Sequence, residues 1–318
     1  MVSSVQSLEN VIRSSSHALV IGVGGGGDVV GALAAARFLE FCGLQWTLGG
    51  LSWERYVYDP LPGPRSLEEI ENIKPLHHRM GLAGPQTRTK HGVYFAESKM
   101  AEVLGKDVLL VDINGGVKGV VEGLKVVINE FKTDLLVGLD VGGDSLAEGG
   151  EKGLRSPLAD SVMLAALAEL EQSGVPTLWG VYGYASDGEL STDEVERALS
   201  VVAKAGGFQG AWALTPKVVE ELSEVIQKVQ TEASAIPVEC ALGAWGEKSI
   251  RRGERSVKLT PLTALTFFLS PTVVFKTLSR PARALATSAS LEEADAALHA
   301  MGLRTELDLE RERYRKKA

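Results

Sequence analysis

The stretch from Ala18 to Gly31, Ala-Leu-Val-Ile-Gly-Val-Gly-Gly-Gly-Gly-Asp-Val-Val-Gly, constrains the fold of this chain more than any other. Its unbroken apolar run from Ala18 to Val23 predicts a strand buried on both faces. Gly24, Gly25, Gly26 and Gly27 then predict a turn, and a helix opens at Asp28. A strand that breaks into glycine and then a helix offers free backbone N–H groups to an anion. Glycine allows positive φ and close approach at such a turn. Gly22, Gly24 and Gly27 also satisfy G-x-G-x-x-G, although a run of four glycines satisfies many patterns. Asp28 departs from a nucleotide fingerprint. A first-turn carboxylate suits the helix dipole but repels a bare pyrophosphate. The turn therefore predicts a cation site as well as, or instead of, an anion site.

The same form recurs along the chain. Gln45–Leu51 and Pro176–Tyr182 read as strands, and Asp107–Asp112 and Asp134–Asp140 are apolar strands that each end in an acid. Asn114-Gly115-Gly116 and Val141-Gly142-Gly143-Asp144-Ser145 make glycine turns after them, and helices follow. This alternation predicts an α/β fold with an open, doubly wound, mainly parallel sheet, Rossmann-like and three-layered. We expect residues 1–318 to form a single domain. In that reading 1–205 is the Rossmann-like core, 206–305 a more helical extension packed on it, and 306–318 a charged C-terminal segment. Leu259–Leu269 reads as helical after Thr260-Pro261. Residues 56–91 lack clear periodicity and carry His77, His78, Arg79, Arg88, Lys90 and His91. They predict either a solvated excursion or a basic lid over an anionic ligand.

In doubly wound sheets, ligands bind outside the carboxyl ends of the strands. Asp28, Asp112, Asp140 and Asp144 are expected there, with Asn114, Glu148 and Glu151 in the same loops. Each acid alone has a plain structural reading as a first-turn helix acid or a turn-closing residue. Together they repel unless a proton or a metal separates them. Oxygen ligands favour Mg²⁺, Mn²⁺ or Ca²⁺ over zinc. The expected metal ligands are Asp28, Asp112, Asp140, Asp144 and Glu148. The expected anion site comprises Gly24, Gly25, Gly26, Gly27, Gly142 and Gly143, with Asn114 and Ser145. Asp144 or Glu151 is the candidate general base. The chemistry so implied is that of a metal-dependent hydrolase of the phosphatase kind, or a lyase, acting on a phosphorylated or carboxylated small molecule.

Two rival readings differ in class. One is an NAD(P)- or nucleotide-binding protein, with Glu54 as the ribose-binding acid after the second strand. The other is a small-molecule sensor or oligomeric scaffold, with Leu262–Phe275 and the charged tail as homo-oligomer contacts. No G-x-S-x-G and no Walker A pattern occurs. A formal net charge of -8 argues against nucleic acid or an anionic membrane as the main partner. The apolar run around Leu262–Leu269 is too short to span a bilayer, and no signal peptide is evident at the start. Cys42 and Cys240 lack metal-type spacing and read as buried small hydrophobes of a reducing compartment. These features predict a soluble, cytoplasmic protein.

With Gly-Gly-Gly-Gly-Asp-Val-Val at 24–30 and Asp-Val-Gly-Gly-Asp-Ser-Leu at 140–146, the chain resembles the archaeal and bacterial domain of unknown function 1152 family. The resemblance extends over Glu148, Glu151, Ser156-Pro157-Leu158-Ala159-Asp160 and Gly302-Leu303-Arg304-Thr305-Glu306-Leu307-Asp308. It implies one α/β unit with both glycine–aspartate turns at its site. It also implies that Glu306 and Asp308 dock on the body rather than fray.

Overall fold

The computed structural model describes residues 7–317. Its strands are β1 (His17–Gly22), β2 (Gln45–Leu51), β3 (Ile70–His77), β4 (Met80–Thr89), β5 (Val108–Val111), β6 (Leu135–Val141), β7 (Thr177–Tyr182), β8 (Phe208–Ala213), β9 (Gly246–Ile250), β10 (Arg255–Leu259) and β11 (Leu265–Leu269). Nine of them form one sheet in the order β3-β4-β5-β2-β1-β6-β7-β11-β8, and β9 and β10 form a separate hairpin. The centre, β5-β2-β1-β6-β7, is parallel. The pairs that extend it at both sides are antiparallel.

The period-two geometry of β1 explains the layering. Leu19 and Ile21 face one apolar cluster, which includes Leu136, Trp179 and residues of the helices Gly116–Phe131 and Pro157–Gln172. Ala18 and Val20 face a second cluster, built with the helices Asp28–Phe41, Ala96–Leu104 and Pro216–Lys228. Helices thus cover both faces of the sheet in a three-layer α/β fold. None of the described helices is long and apolar enough to cross a membrane.

The chain passes outward from β1 to β2 and then β5, returns beside β1 as β6, and continues the other way to β7. The winding reverses between β1 and β6. That reversal opens a crevice at the carboxyl ends of those two strands. The two glycine turns follow these strands and so share the crevice.

Three local readings change. Most of the stretch at 56–91 is not a lid: β3 and β4 pair antiparallel and add to the sheet beside β5. β3 is an outer strand interrupted by Pro75 and by register shifts, which masks its period. Leu259–Leu269 is not one helix. It ends β10, turns through Pro261–Ala264 and forms β11 between β7 and β8. The region after residue 205 therefore contributes two strands to the main sheet as well as helices. Finally, Cys42 is exposed, whereas Cys240 is buried.

Candidate active site

The first glycine turn is held by close packing. A Cβ on Gly22 would lie 2.5 Å from the carbonyl carbon of Asp28 and 2.6 Å from the amide nitrogen of Val29. Only glycine lets the strand end approach the helix start this way. The Gly24 N–H donates to Asp28 Oδ2 at 3.0 Å, and the Gly26 N–H to the Trp53 carbonyl at 2.9 Å. In the second turn the Gly142 N–H donates to the Tyr182 carbonyl, and the Gly143 N–H to Asp140 Oδ1 at 3.2 Å. These four amides, expected to hold an anion, are engaged within the protein.

The floor of the crevice is acidic. One ligand oxygen each from Asp140, Asp144 and Asp160 lie within 4.8 Å of one another, and so do oxygens from Asp144, Asp187 and Glu189. Asp144 belongs to both groups. Asp140 is fully employed: besides Gly143, the Ser145 N–H and hydroxyl both donate to its Oδ2. Glu189 is employed too, accepting from the Arg155 and Ser156 N–H groups at 2.6 and 2.9 Å and from the Ser156 hydroxyl. By contrast, both carboxylate oxygens of Asp187 and Oδ1 of Asp160 are buried without a hydrogen-bond partner.

Burial and mutual repulsion shift these groups upward. Burial first, then the neighbouring acids, pushes Asp144 and Asp160 well above the usual carboxylate range. Asp187 is raised likewise, by burial and then by Glu189, with Arg255 opposing. Asp28 rises to about 7 through burial, against the pull of Arg55.

The final helix, Glu306–Lys317, closes one wall. Ser156 precedes the helix Pro157–Gln172 but makes no side-chain cap. Its hydroxyl turns to Glu189, and Glu306 instead accepts from the Leu158 and Ala159 N–H groups at 3.0 and 2.7 Å. Burial pushes the Glu306 carboxyl up to about 8. Four residues on, Glu310 accepts from Trp53 Nε1 at 3.0 Å and from the Gly63 N–H at 2.8 Å. The cavity measures about 230 Å³, and Arg55, Arg155, Arg251, Arg255 and Arg313 contribute cations to its lining.

A family model described as a protein of unknown function (DUF1152) matches residues 19–314. The chain belongs to the DUF1152 family. No curated protein and no solved structure matches it. The matched span takes in both glycine turns, every acid of the floor and the last helix through Arg313, so this DUF1152 protein carries the complete cavity within the family region.

The structure brings Asp28, Asp140 and Asp144 to this cavity and leaves other expected site residues elsewhere. Asp112 pairs with Arg79 at 2.8 Å and accepts from the N–H and side-chain amide of Asn114. It follows β5, separated from the β1–β6 crevice by β2, so Asp112 and Asn114 serve a turn of their own. Glu148 is exposed. Glu151 accepts from the N–H groups of Glu148, Gly149 and Gly150 and closes that loop. Neither lines the acidic cavity; both line a separate surface depression. Ser145 donates to Asp140, and its hydroxyl accepts from Trp179 Nε1. Glu54 lines the cavity, but its Oε1 accepts from the Ala96 N–H at 2.5 Å. Sequence reasoning missed Asp160, Asp187, Glu189 and the arginines. Asp187 carried a usable signal, since it follows β7 at the same edge of the sheet. Asp160 stood four residues into a Ser-Pro helix start whose N-terminus meets the crevice.

Proposed function

We propose that this cavity binds a divalent cation through Asp144, Asp160 and Asp187, and through it a small phosphorylated or carboxylated molecule, as in a metal-dependent hydrolase or lyase. The observation that carries the reading is the set of buried, unpartnered carboxylate oxygens on Asp160 and Asp187, which flank Asp144 and are only 3% and 6% exposed residues. A buried carboxylate without a partner is costly unless a proton or a cation neutralises it. An all-oxygen donor set suits Mg²⁺, Mn²⁺ or Ca²⁺. Asp140 and Glu189, saturated by donors, orient the turns that carry the ligands, as outer-shell residues commonly do. Bound there, the cation supplies Lewis-acid polarisation of a ligand oxygen or a more acidic water. Asp28, held by the Gly24 N–H beside this group, is the acid placed for proton transfer.

The dinucleotide reading has less support. The amides of Gly24 and Gly26 are committed, and Glu54 is occupied at the start of a helix.

Thermal unfolding of the full chain in EDTA, and with Mg²⁺, Mn²⁺ or Ca²⁺ in excess, tests the proposal. At least one cation should raise the melting temperature of the wild type, and D144N and D187N should lose that response. A wild type indifferent to all three cations contradicts it, as does an undiminished response in both variants.

A further inference from the structure

Among the arginines that line the cavity, three come from two separate parts of the chain. Arg55 follows β2. Arg251 and Arg255 belong to the β9–β10 hairpin, which stands apart from the main sheet. The hairpin turn is built in an unusual way: Arg251 and its neighbour Arg252 both adopt left-handed backbone, with φ of 53° and 57°. Such conformations are unfavourable for residues other than glycine, and they persist where surrounding structure imposes them, often at ligand clamps.

The arginines differ in how well they are neutralised. Arg255 is satisfied, pairing with Glu189 at 3.0 Å and donating to the Asp187 carbonyl at 2.9 Å. Among the described residues Arg251 makes one ion pair, a long one with Glu232 at 3.6 Å. Its guanidinium is pushed down to about 10 by burial, and then by Arg55 and Arg255. Arg55 lines the same cavity with its Nε buried and without a hydrogen-bond partner. A buried donor left unmade is costly, and crowded guanidinium groups repel. Both costs vanish when an anion sits between them.

We infer that Arg55 and Arg251 form the anion subsite of this cavity, and that the group they take is a phosphoryl group. The inference deepens the proposed function and rests on it only in placing a cation on the same ligand. A guanidinium presents a planar fork of donors that pairs bidentately with oxyanions. A carboxylate has acceptor sites for two forks, but all of them lie in one plane, and two forks filling them leave no site for the cation. A terminal phosphoryl group has three oxygens in a tetrahedral array and up to two negative charges. It satisfies both guanidinium groups and leaves an oxygen for the cation. The engaged N–H groups of Gly24, Gly26, Gly142 and Gly143 agree with arginines rather than those amides taking the anion.

The test uses the full chain with three probes, inorganic phosphate, pyrophosphate and succinate, titrated calorimetrically in EDTA and again with Mn²⁺. Wild type should bind phosphate or pyrophosphate more tightly than succinate. R55Q and R251Q should each weaken that binding by about tenfold or more, the scale of one lost charge-assisted contact, while their response to Mn²⁺ alone persists. Near-UV circular dichroism checks that the variants are folded, and R55K provides a second variant that keeps the charge but not the fork; it should bind less tightly than wild type. The inference is overturned by phosphate and pyrophosphate that fail to bind wild type in either condition, by variants that bind as well as wild type, or by succinate that binds equally well. Arginine-dependent phosphate binding in a protein that ignores Mn²⁺ contradicts the cation site and upholds this subsite.

Discussion

Asp144 is shared by two groups of acids, and its neighbours Asp160 and Asp187 hold buried oxygens without a formed hydrogen bond. Carboxylates so placed destabilise the cation-free protein whenever they ionise. Asparagine at position 187 removes that charge without changing the shape. D187N should therefore be more stable than wild type in EDTA at alkaline pH, by about 1–3 kcal/mol, while losing stabilisation by divalent cations. Urea unfolding in EDTA and in Mn²⁺ measures both. A D187N protein less stable than wild type in EDTA contradicts the picture of an unpaired buried charge. Glu306 acts in the opposite sense. Its carboxylate serves the Leu158 and Ala159 N–H groups, and E306A leaves them unpaired. The expected loss is about 1–3 kcal/mol in the same assay.

The glycine turns show how elements set the positions of these residues. Gly22 lets β1 touch the first turn of the helix Asp28–Phe41. G22A should push that helix away from the sheet, costing about 1–3 kcal/mol, and should weaken the cation response by displacing Asp28. Gly142 is constrained differently. Its φ is 115°, and a Cβ there would collide with the Asp187 carboxylate. The strands of the parallel core were legible because β1, β6 and β7 are buried on both faces and read as continuous apolar runs. The β3–β4 hairpin was not legible. It lies at the outside of the sheet, where Glu71, Lys74 and Pro75 replace the apolar pattern. β11 was obscured because the Thr-Pro pair before it resembles a helix start.

At the scale of the molecule, the site assembles from β1, β6, β7, the β9–β10 hairpin and the last helix. Asp28, Asp140 and Asp144 could be read from the sequence because Asp140 lies near the end of β6 and Asp28 and Asp144 lie in or just after the glycine turns that follow β1 and β6, at the reversal of winding. Arg251 and Arg255 could not, because tertiary packing alone brings their segment over the crevice, and the docking of Glu306 followed only from the family resemblance. This convergence predicts a pH dependence. Asp28 and Glu306 sit at about 7 and about 8 in the folded protein, against ordinary values of 3.8 and 4.5. The folded state thus holds protons that the unfolded state has released. The stability that these two groups contribute in EDTA, read as the difference between wild type and the D28N/E306Q double variant, should be greatest below about pH 4, fall by up to about 1.4 kcal/mol per pH unit for each group as pH rises toward the folded values, and be lost above about pH 8. Equilibrium unfolding of both proteins in EDTA across that range checks the slope; a difference that rises with pH would oppose it.

A cation entering the acidic floor must displace the protons that the raised carboxyls of Asp144, Asp160 and Asp187 hold there. Calorimetric titration of Mn²⁺, Mg²⁺ and Ca²⁺ into the full chain near neutral pH, repeated in buffers of different ionisation enthalpy, counts them directly. The cation site described here predicts saturable binding of at least one of the three with net proton release in the wild type, and loss of both in D144N. Absence of binding by Mn²⁺, Mg²⁺ and Ca²⁺ alike, or binding that releases no protons and survives D144N, would contradict it.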